Sequence, residues 1–146
     1  MDFIHLFKQE MKTGFSDHRI AKIAKLGKKL NEEMDFNAKL IAAINTSVEG
    51  IALLDEEGIY IYMNKAHEKM FGYSNQEMIG KSWTMLYSEK DVEKFVATIF
   101  PEIEKHGYWK GEATAIHKDG KTKVDEYLTL TATEDGWLIC TVREKR

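Results

Sequence analysis

The spacing of apolar positions changes character at Val48. Upstream, Ile20, Ile23, Leu30, Met34, Ile41 and Ile44 recur at alternating intervals of three and four residues, which lines them up as one stripe on a helix. The pattern predicts a helix from Asp17 to about Asn45, with Ser16 as its N-cap. Gly27 and Asn37 occupy the two seam positions that are not apolar. Such a stripe either packs on the chain's own domain or pairs two chains as a coiled coil. On the same helix Lys22, Lys25, Lys28 and Lys29 form a solvated face or a contact for an acidic partner. Ahead of it, Phe3, Leu6, Phe7 and Met11 share a face of a short amphipathic helix over Asp2–Lys12. Thr13-Gly14-Phe15 then breaks that helix.

Downstream the period shortens to two. Gly50–Asp55 and Gly58–Met63 are predicted strands joined by Glu56-Glu57-Gly58. Short helical pieces follow at Lys65–Phe71, Asn75–Ile79 and Ser82–Tyr87. Ser88 with Asp91 marks the start of a longer helix. That helix brings Val92, Phe95, Val96, Ile99 and Ile103 toward a core. Pro101 bends it or restarts its last turn, and Gly107 ends it. Three strands complete the chain, Tyr108–His117, Thr122–Thr133 and Trp137–Arg143. The turns between them, Lys118-Asp119-Gly120 and Glu134-Asp135-Gly136, are hairpin signals, because Gly supplies positive φ. The order predicts an α+β fold with an antiparallel sheet over residues 45–146, preceded by a helical extension over 1–44.

Composition narrows the function. A chain of 146 residues supports one domain with its own core plus an extension. A net charge of −3 argues against a general nucleic-acid binder, and no apolar run is long enough for a membrane span. The single cysteine, Cys140, forms no internal disulfide and no Cys-rich metal site. With no signal-peptide pattern at the N-terminus, a cytoplasmic location is expected.

The stretch Gly58–Tyr73 carries more specific information. A short strand ends on Tyr62-Met63-Asn64, where Asn64 caps the following helix, and that helix ends in Phe71-Gly72-Tyr73. With Glu77-Met78-Ile79-Gly80 after it, the segment resembles the middle of a PAS sensor domain. Ile51–Asp55 with Gly58, Gly107-Tyr108-Trp109-Lys110-Gly111-Glu112, His117-Lys118-Asp119-Gly120 and Cys140-Thr141-Val142-Arg143 resemble the family's remaining strands, in the right order, over about 45–143. The resemblance implies a five-stranded antiparallel sheet ordered 2-1-5-4-3, with helices on one face over an interior pocket. It implies a sensory or signalling module that dimerises and relays binding of a ligand to an effector domain or a partner protein such as a histidine kinase. A ligand-free interaction module is the alternative. Many relatives continue after the last Arg with Asp-Ile-Thr. Here Glu144-Lys145-Arg146 follows instead, which leaves an effector beyond this end or an output through the N-terminal helix; Met1 favours a native start.

Strand parity selects the residues facing that pocket. Trp109, Gly111, Ala113 and Ala115 face inward on the third strand, and Lys110, Glu112 and Thr114 outward. Val124, Glu126, Leu128 and Leu130 share a face of the fourth, and Leu138, Cys140 and Val142 share one on the fifth. Small inward residues either leave room for a ligand or admit bulky helix side chains. An inward Glu126 needs a partner. The candidate lining is Trp109, Ala113, Leu128 and Cys140 from the sheet, with Phe95 and Ile99 from the long helix. Its apolar character calls for a small, largely apolar ligand.

The cofactor stays unassigned. Flavin photoreceptors of the superfamily need a cysteine where this chain has Gly80-Lys81-Ser82-Trp83, and a Gln where Val142 stands. Redox-sensing flavin relatives share the Gly-Tyr-Trp-Lys-Gly motif, but their polar contact after it is replaced by Ala115. Haem-binding relatives use a His on the long helix. Here His106 lies past that helix and His67 on a short one, and both are expected at the surface. His5, His18 and His117 lack metal-ligand spacing. No nucleophile elbow, Walker loop or zinc-protease motif occurs, and Cys140 is expected to be a buried strand residue. The chain is therefore expected not to be an enzyme.

Overall fold

The stretches of period two form five strands: β1 (Gly50–Leu54), β2 (Tyr60–Met63), β3 (Tyr108–Ile116), β4 (Lys123–Ala132) and β5 (Leu138–Glu144). The structure is a computed structural model describing residues 4, 5, 8, 9 and 17–145. All neighbouring strands pair antiparallel, in the order β2-β1-β5-β4-β3. Burial follows parity. In β4, Val124, Glu126, Leu128 and Leu130 are buried, while Lys123, Asp125 and Tyr127 are exposed, as in a sheet with one covered face. The register sets Ala52 opposite Cys140, Cys140 opposite Leu130, and Leu128 opposite both Val142 and Gly111. The inward residues of four strands thus meet in one patch. The hairpin glycines do what their turns require, with φ of +74° at Gly120 and +85° at Gly136.

α1 runs Asp17–Thr46. The shorter helices after β2 cover the patch: α2 Lys65–Phe71 and α3 Asn75–Met78, followed by a 3₁₀ turn at Trp83–Leu86. Ser74 and Ser88 cap α3 and α4 (Glu89–Lys94), each hydroxyl accepting from the N–H three residues on. The long helix expected after Ser88 is not one α-helix. α4 passes into a π turn at Phe95–Ile99 and then into α5 (Phe100–His106). Pro101 has no N–H and its ring crowds the carbonyl four residues back. The turn before it widens, so that the Phe100 N–H donates to the Phe95 carbonyl. Thr98 also donates its hydroxyl to the Lys94 carbonyl, at 2.8 Å.

The chain divides into two compact units, Met1–Ala43 and Ile44–Arg146. In the first, α1 carries most of its length. Ile20, Ile23 and Ile44 on the seam are half-buried, while Leu30, Met34 and Ile41 are exposed; Leu26, Phe36 and Leu40 beside the seam are exposed too. Of the Asp2–Lys12 segment, Ile4, His5, Lys8 and Gln9 are helical. Phe3, Leu6, Phe7, Met11, the break at 13–15 and the Ser16 cap lie outside the described residues. Among the described residues, no helix is long and apolar enough to cross a membrane.

One expectation fails inside the second unit. His67 is not at the surface but 2% exposed. Its ring lies 4.5 Å from that of Phe71 and 6.0 Å from that of Tyr60, and Gly50 lets β1 approach it closely. Burial lowers its pKa to about 4, and Nδ1 has no hydrogen-bond partner.

Candidate functional site

The space between the helices and the inner sheet face is almost filled. What remains is a cavity of about 30 Å³, lined by Leu54, Tyr60, Trp83, Tyr87, Phe95, Phe100, Leu128, Leu130, Leu138 and Cys140. Three of the residues selected by parity, Phe95, Leu128 and Cys140, meet here. Ala113 and Ile99, again with Phe95, border a different and larger cleft of about 360 Å³, whose other lining is mostly charged: Asp91, Lys94, Glu112, Asp125 and Lys145. Trp109 lines neither. Its indole lies on Gly111, where a Cβ would fall 2.3 Å from Trp109 Cζ2, and its ring stands edge-on to Phe95 at 6.4 Å. The room over Gly111 is thus taken by the strand's own tryptophan rather than by a helix side chain.

Parity did not reach Tyr60, Trp83, Tyr87 or Phe100. Trp83 and Tyr87 come from and just after a 3₁₀ turn, too short to show a period. Trp83 packs tilted on Phe95 and edge-on to Phe100, and Tyr87 packs tilted on Phe95, at centroid distances of 4.8–5.2 Å. Of the remaining members, Leu130 shares the inner face of β4 and Leu138 that of β5, while Leu54 on β1 was given no face.

The partner that Glu126 needs is Tyr87. Glu126 is fully buried; Tyr87 donates its hydroxyl to Glu126 Oε1 at 2.5 Å, while Oε2 has no partner. Burial raises the Glu126 pKa to about 7, against the opposing pull of the Tyr87 hydrogen bond. Burial also pushes Tyr87, Tyr60 and the Cys140 thiol up, with the Glu126 charge adding to each. Cys140 is therefore a thiol, unsuited to nucleophilic attack. The cavity is mostly apolar, with two tyrosines and a cysteine in its wall, and Tyr87 links that wall to the half-paired Glu126 carboxyl. Among the described residues, no cluster of His, Cys, Asp and Glu has the arrangement to hold a metal.

A second polar group ties the fold to the end of α1. Asn64 is fully buried. Its Oδ1 accepts from the N–H of His67 and of Ile51, and its Nδ2 donates to the carbonyls of Ile44 and Glu49, all within 2.8–3.1 Å. Asn45 Oδ1 accepts from the Lys65 N–H at 3.0 Å. The last turn of α1, the start of β1 and the first turn of α2 are thereby held by two side chains. Asn75 fixes the end of β2 in a similar way, accepting from the Met63 N–H and donating to the Met63 carbonyl.

Comparison with known proteins agrees with this architecture. The family model of the PAS domain matches residues 48–136. The chain belongs to the PAS family. Solved PAS domains share its fold at low identity. One from Colwellia psychrerythraea has a TM-score of 0.68 at 24% identity, covering 75% of this chain and 97% of its own. The PAS domain of a LuxR-family transcriptional regulator from Burkholderia thailandensis, solved in complex with ethanol, gives 0.64 at 18%, covering 70% and 94%. A domain of a sensory box sensor histidine kinase/response regulator from Geobacter sulfurreducens gives 0.61 at 22%, covering 75% and 96%. No curated protein sequence matches the chain with significance.

Proposed function

We propose that this PAS chain is the sensory module of a signalling protein, a binding module rather than an enzyme. It holds a very small ligand in the interior cavity and relays its presence to α1, which pairs with α1 of a second copy. The observation that carries this reading is the cavity of about 30 Å³ whose wall includes Tyr87, bonded to the half-paired Glu126. A water needs roughly 10–15 Å³ of such space, whereas drug-sized ligands need about 300–1,000 Å³. The cavity therefore suits a molecule on the scale of a small alcohol, mostly apolar with one polar end. Ethanol in the Burkholderia relative is of that scale. A flavin or haem does not fit without repacking Trp83, Phe95 and Phe100.

The relay would run through groups already joined. Tyr60 lines the cavity and packs on His67, which sits in α2 next to Asn64. Asn64 and Asn45 link α2 to the end of α1. A ligand favouring one arrangement shifts the population toward it, and a coupling of about 1–3 kcal/mol changes output roughly 5–150-fold. The output would be an effector such as a histidine kinase.

Two measurements test this. Titration with ethanol and propanol, followed by amide shifts, should perturb Tyr60, Leu128 and Cys140. If no shift occurs and native mass spectrometry finds no retained mass, the ligand reading falls and a ligand-free interaction module stands in its place. Sedimentation should give a dimer for the full chain and a monomer for one beginning near Phe36. Monomers of both at a few tens of micromolar, where a dimer of about 10 μM affinity would show, would remove α1 pairing.

A further inference from the structure

A groove lies at one end of the sheet, between the β1–β2 turn, the β4–β5 turn and α5. Its volume is about 830 Å³. The floor is apolar and aromatic, made by Leu54, Trp83, Phe100, Ile103, Trp137 and Leu138. Every charged residue lining it is acidic: Asp55, Glu56, Glu57, Glu104 and Glu134. Asp55 is committed to its own turn, where Oδ1 accepts from the N–H groups of Glu57 and Ile59. The four glutamates are exposed, and among the described residues none of them belongs to an ion pair. They come from three separate elements, so it is the fold that gathers them around one apolar trough.

We infer that this groove docks a basic, apolar segment of a partner protein, with its apolar side chains on the tryptophan floor and its Lys or Arg side chains among the glutamates. Charge complementarity selects this occupant. Like charges gathered at a rim repel one another and attract a cation, and they repel nucleic acid and anionic lipid. A small molecule with one ammonium would meet only one or two of the four carboxylates, whereas a segment carrying several cations meets them all. Arg or Lys over an indole face adds to the same preference.

The groove is well placed for a partner. Gly50 pairs with Val142 at one end of β1, and Leu54 with Leu138 at the other. Docking beside Leu54 and Leu138 therefore occurs away from the end at which the chain enters β1 and β5 finishes. Leu54, Trp83, Phe100 and Leu138 also line the interior cavity. A docked side chain thus presses on the walls of the cavity, whether or not a ligand occupies it.

The test uses the full chain and a fluorescein-labelled peptide of repeated Lys-Leu-Leu-Lys units, read by anisotropy. Binding should weaken as salt rises. The variant Glu56→Lys/Glu57→Lys/Glu134→Lys, changed only at exposed turn positions, should weaken it by about tenfold or more. Glu93→Lys on the exposed face of α4 should leave it unchanged. Trp137→Ala should weaken binding without changing its salt dependence. Equal binding by the charge-reversed variant, or by a Gln-Leu-Leu-Gln peptide, overturns the proposal. So does full displacement by spermine at matched charge, which would mark a small-cation site. Should the triple variant lose its fold, Glu134→Lys alone is expected to weaken binding measurably, and an unchanged affinity there overturns the proposal equally.

Discussion

Asn64 shows what a single residue in this chain carries. Its capping role was legible, because an Asn between a strand and a helix has few other reasons to be there, and the His67 N–H does donate to it. The other three hydrogen bonds were not, because Ile51, Ile44 and Glu49 reach it only through tertiary folding. A cap alone costs about 0.5–2 kcal/mol when lost. Asn64→Ala also leaves a β1 N–H and two carbonyls without their partner, at about 1–3 kcal/mol for each group that stays dry. The expected loss is therefore about 3 kcal/mol or more, read as a shift in the urea midpoint. A loss under about 1 kcal/mol would mean that water takes over these bonds and that the α1 junction is loose. His67 was misread for a related reason: a lone His on a two-turn helix has no periodic context, and its burial depends on Gly50 admitting the helix against β1.

At the scale of elements, most of the fold followed from parity and punctuation. The strands lie within about two residues of their predicted limits, since alternation and hairpin glycines act locally. The π turn was legible only as a disturbance at Pro101, because how a helix absorbs a proline depends on its neighbours. On β3, the inward residues were found but not what covers them. Gly111 and Ala113 have the same parity and opposite surroundings: Trp109 lies on the first, while the second borders the open cleft. Gly111→Ala should force the indole away, cost about 1–3 kcal/mol and change the tryptophan emission. Ala113→Leu should extend into the cleft and stay within about 1 kcal/mol of the parent. Equal costs at the two positions would refute this division of the inner face. Trp109 could not have been assigned as a filler from the sequence, since parity gives a side chain's face but not its rotamer.

At the scale of the whole molecule, two buried ionisable groups set opposing dependences on pH. Glu126 is raised from 4.5 to about 7 by burial. Between those values the unfolded chain has released this proton and the folded one has kept it, so stability falls as pH rises through the window. His67 is lowered by burial from 6.5 to about 4. Between those values the unfolded chain has gained a proton that the folded one refuses, so stability falls as pH drops. Each shift corresponds to roughly 3 kcal/mol at full titration, and the windows overlap from about 4.5 to 6.5. The two contributions therefore nearly cancel there in the native protein. Glu126→Gln keeps an acceptor for the Tyr87 hydroxyl and removes the acid; its stability should rise with pH across the overlap, at about 1.4 kcal/mol per pH unit. His67→Leu should show the reverse slope, with stability falling from pH 4.5 toward 7. Urea unfolding of the three proteins at half-unit pH intervals reads both slopes directly. If either variant keeps the parent's profile, the corresponding group titrates as it does in the unfolded chain, and the interior beside the cavity is wetter than its packing indicates. Opposite slopes would show that the PAS core holds a neutral carboxyl and a neutral imidazole by burial alone.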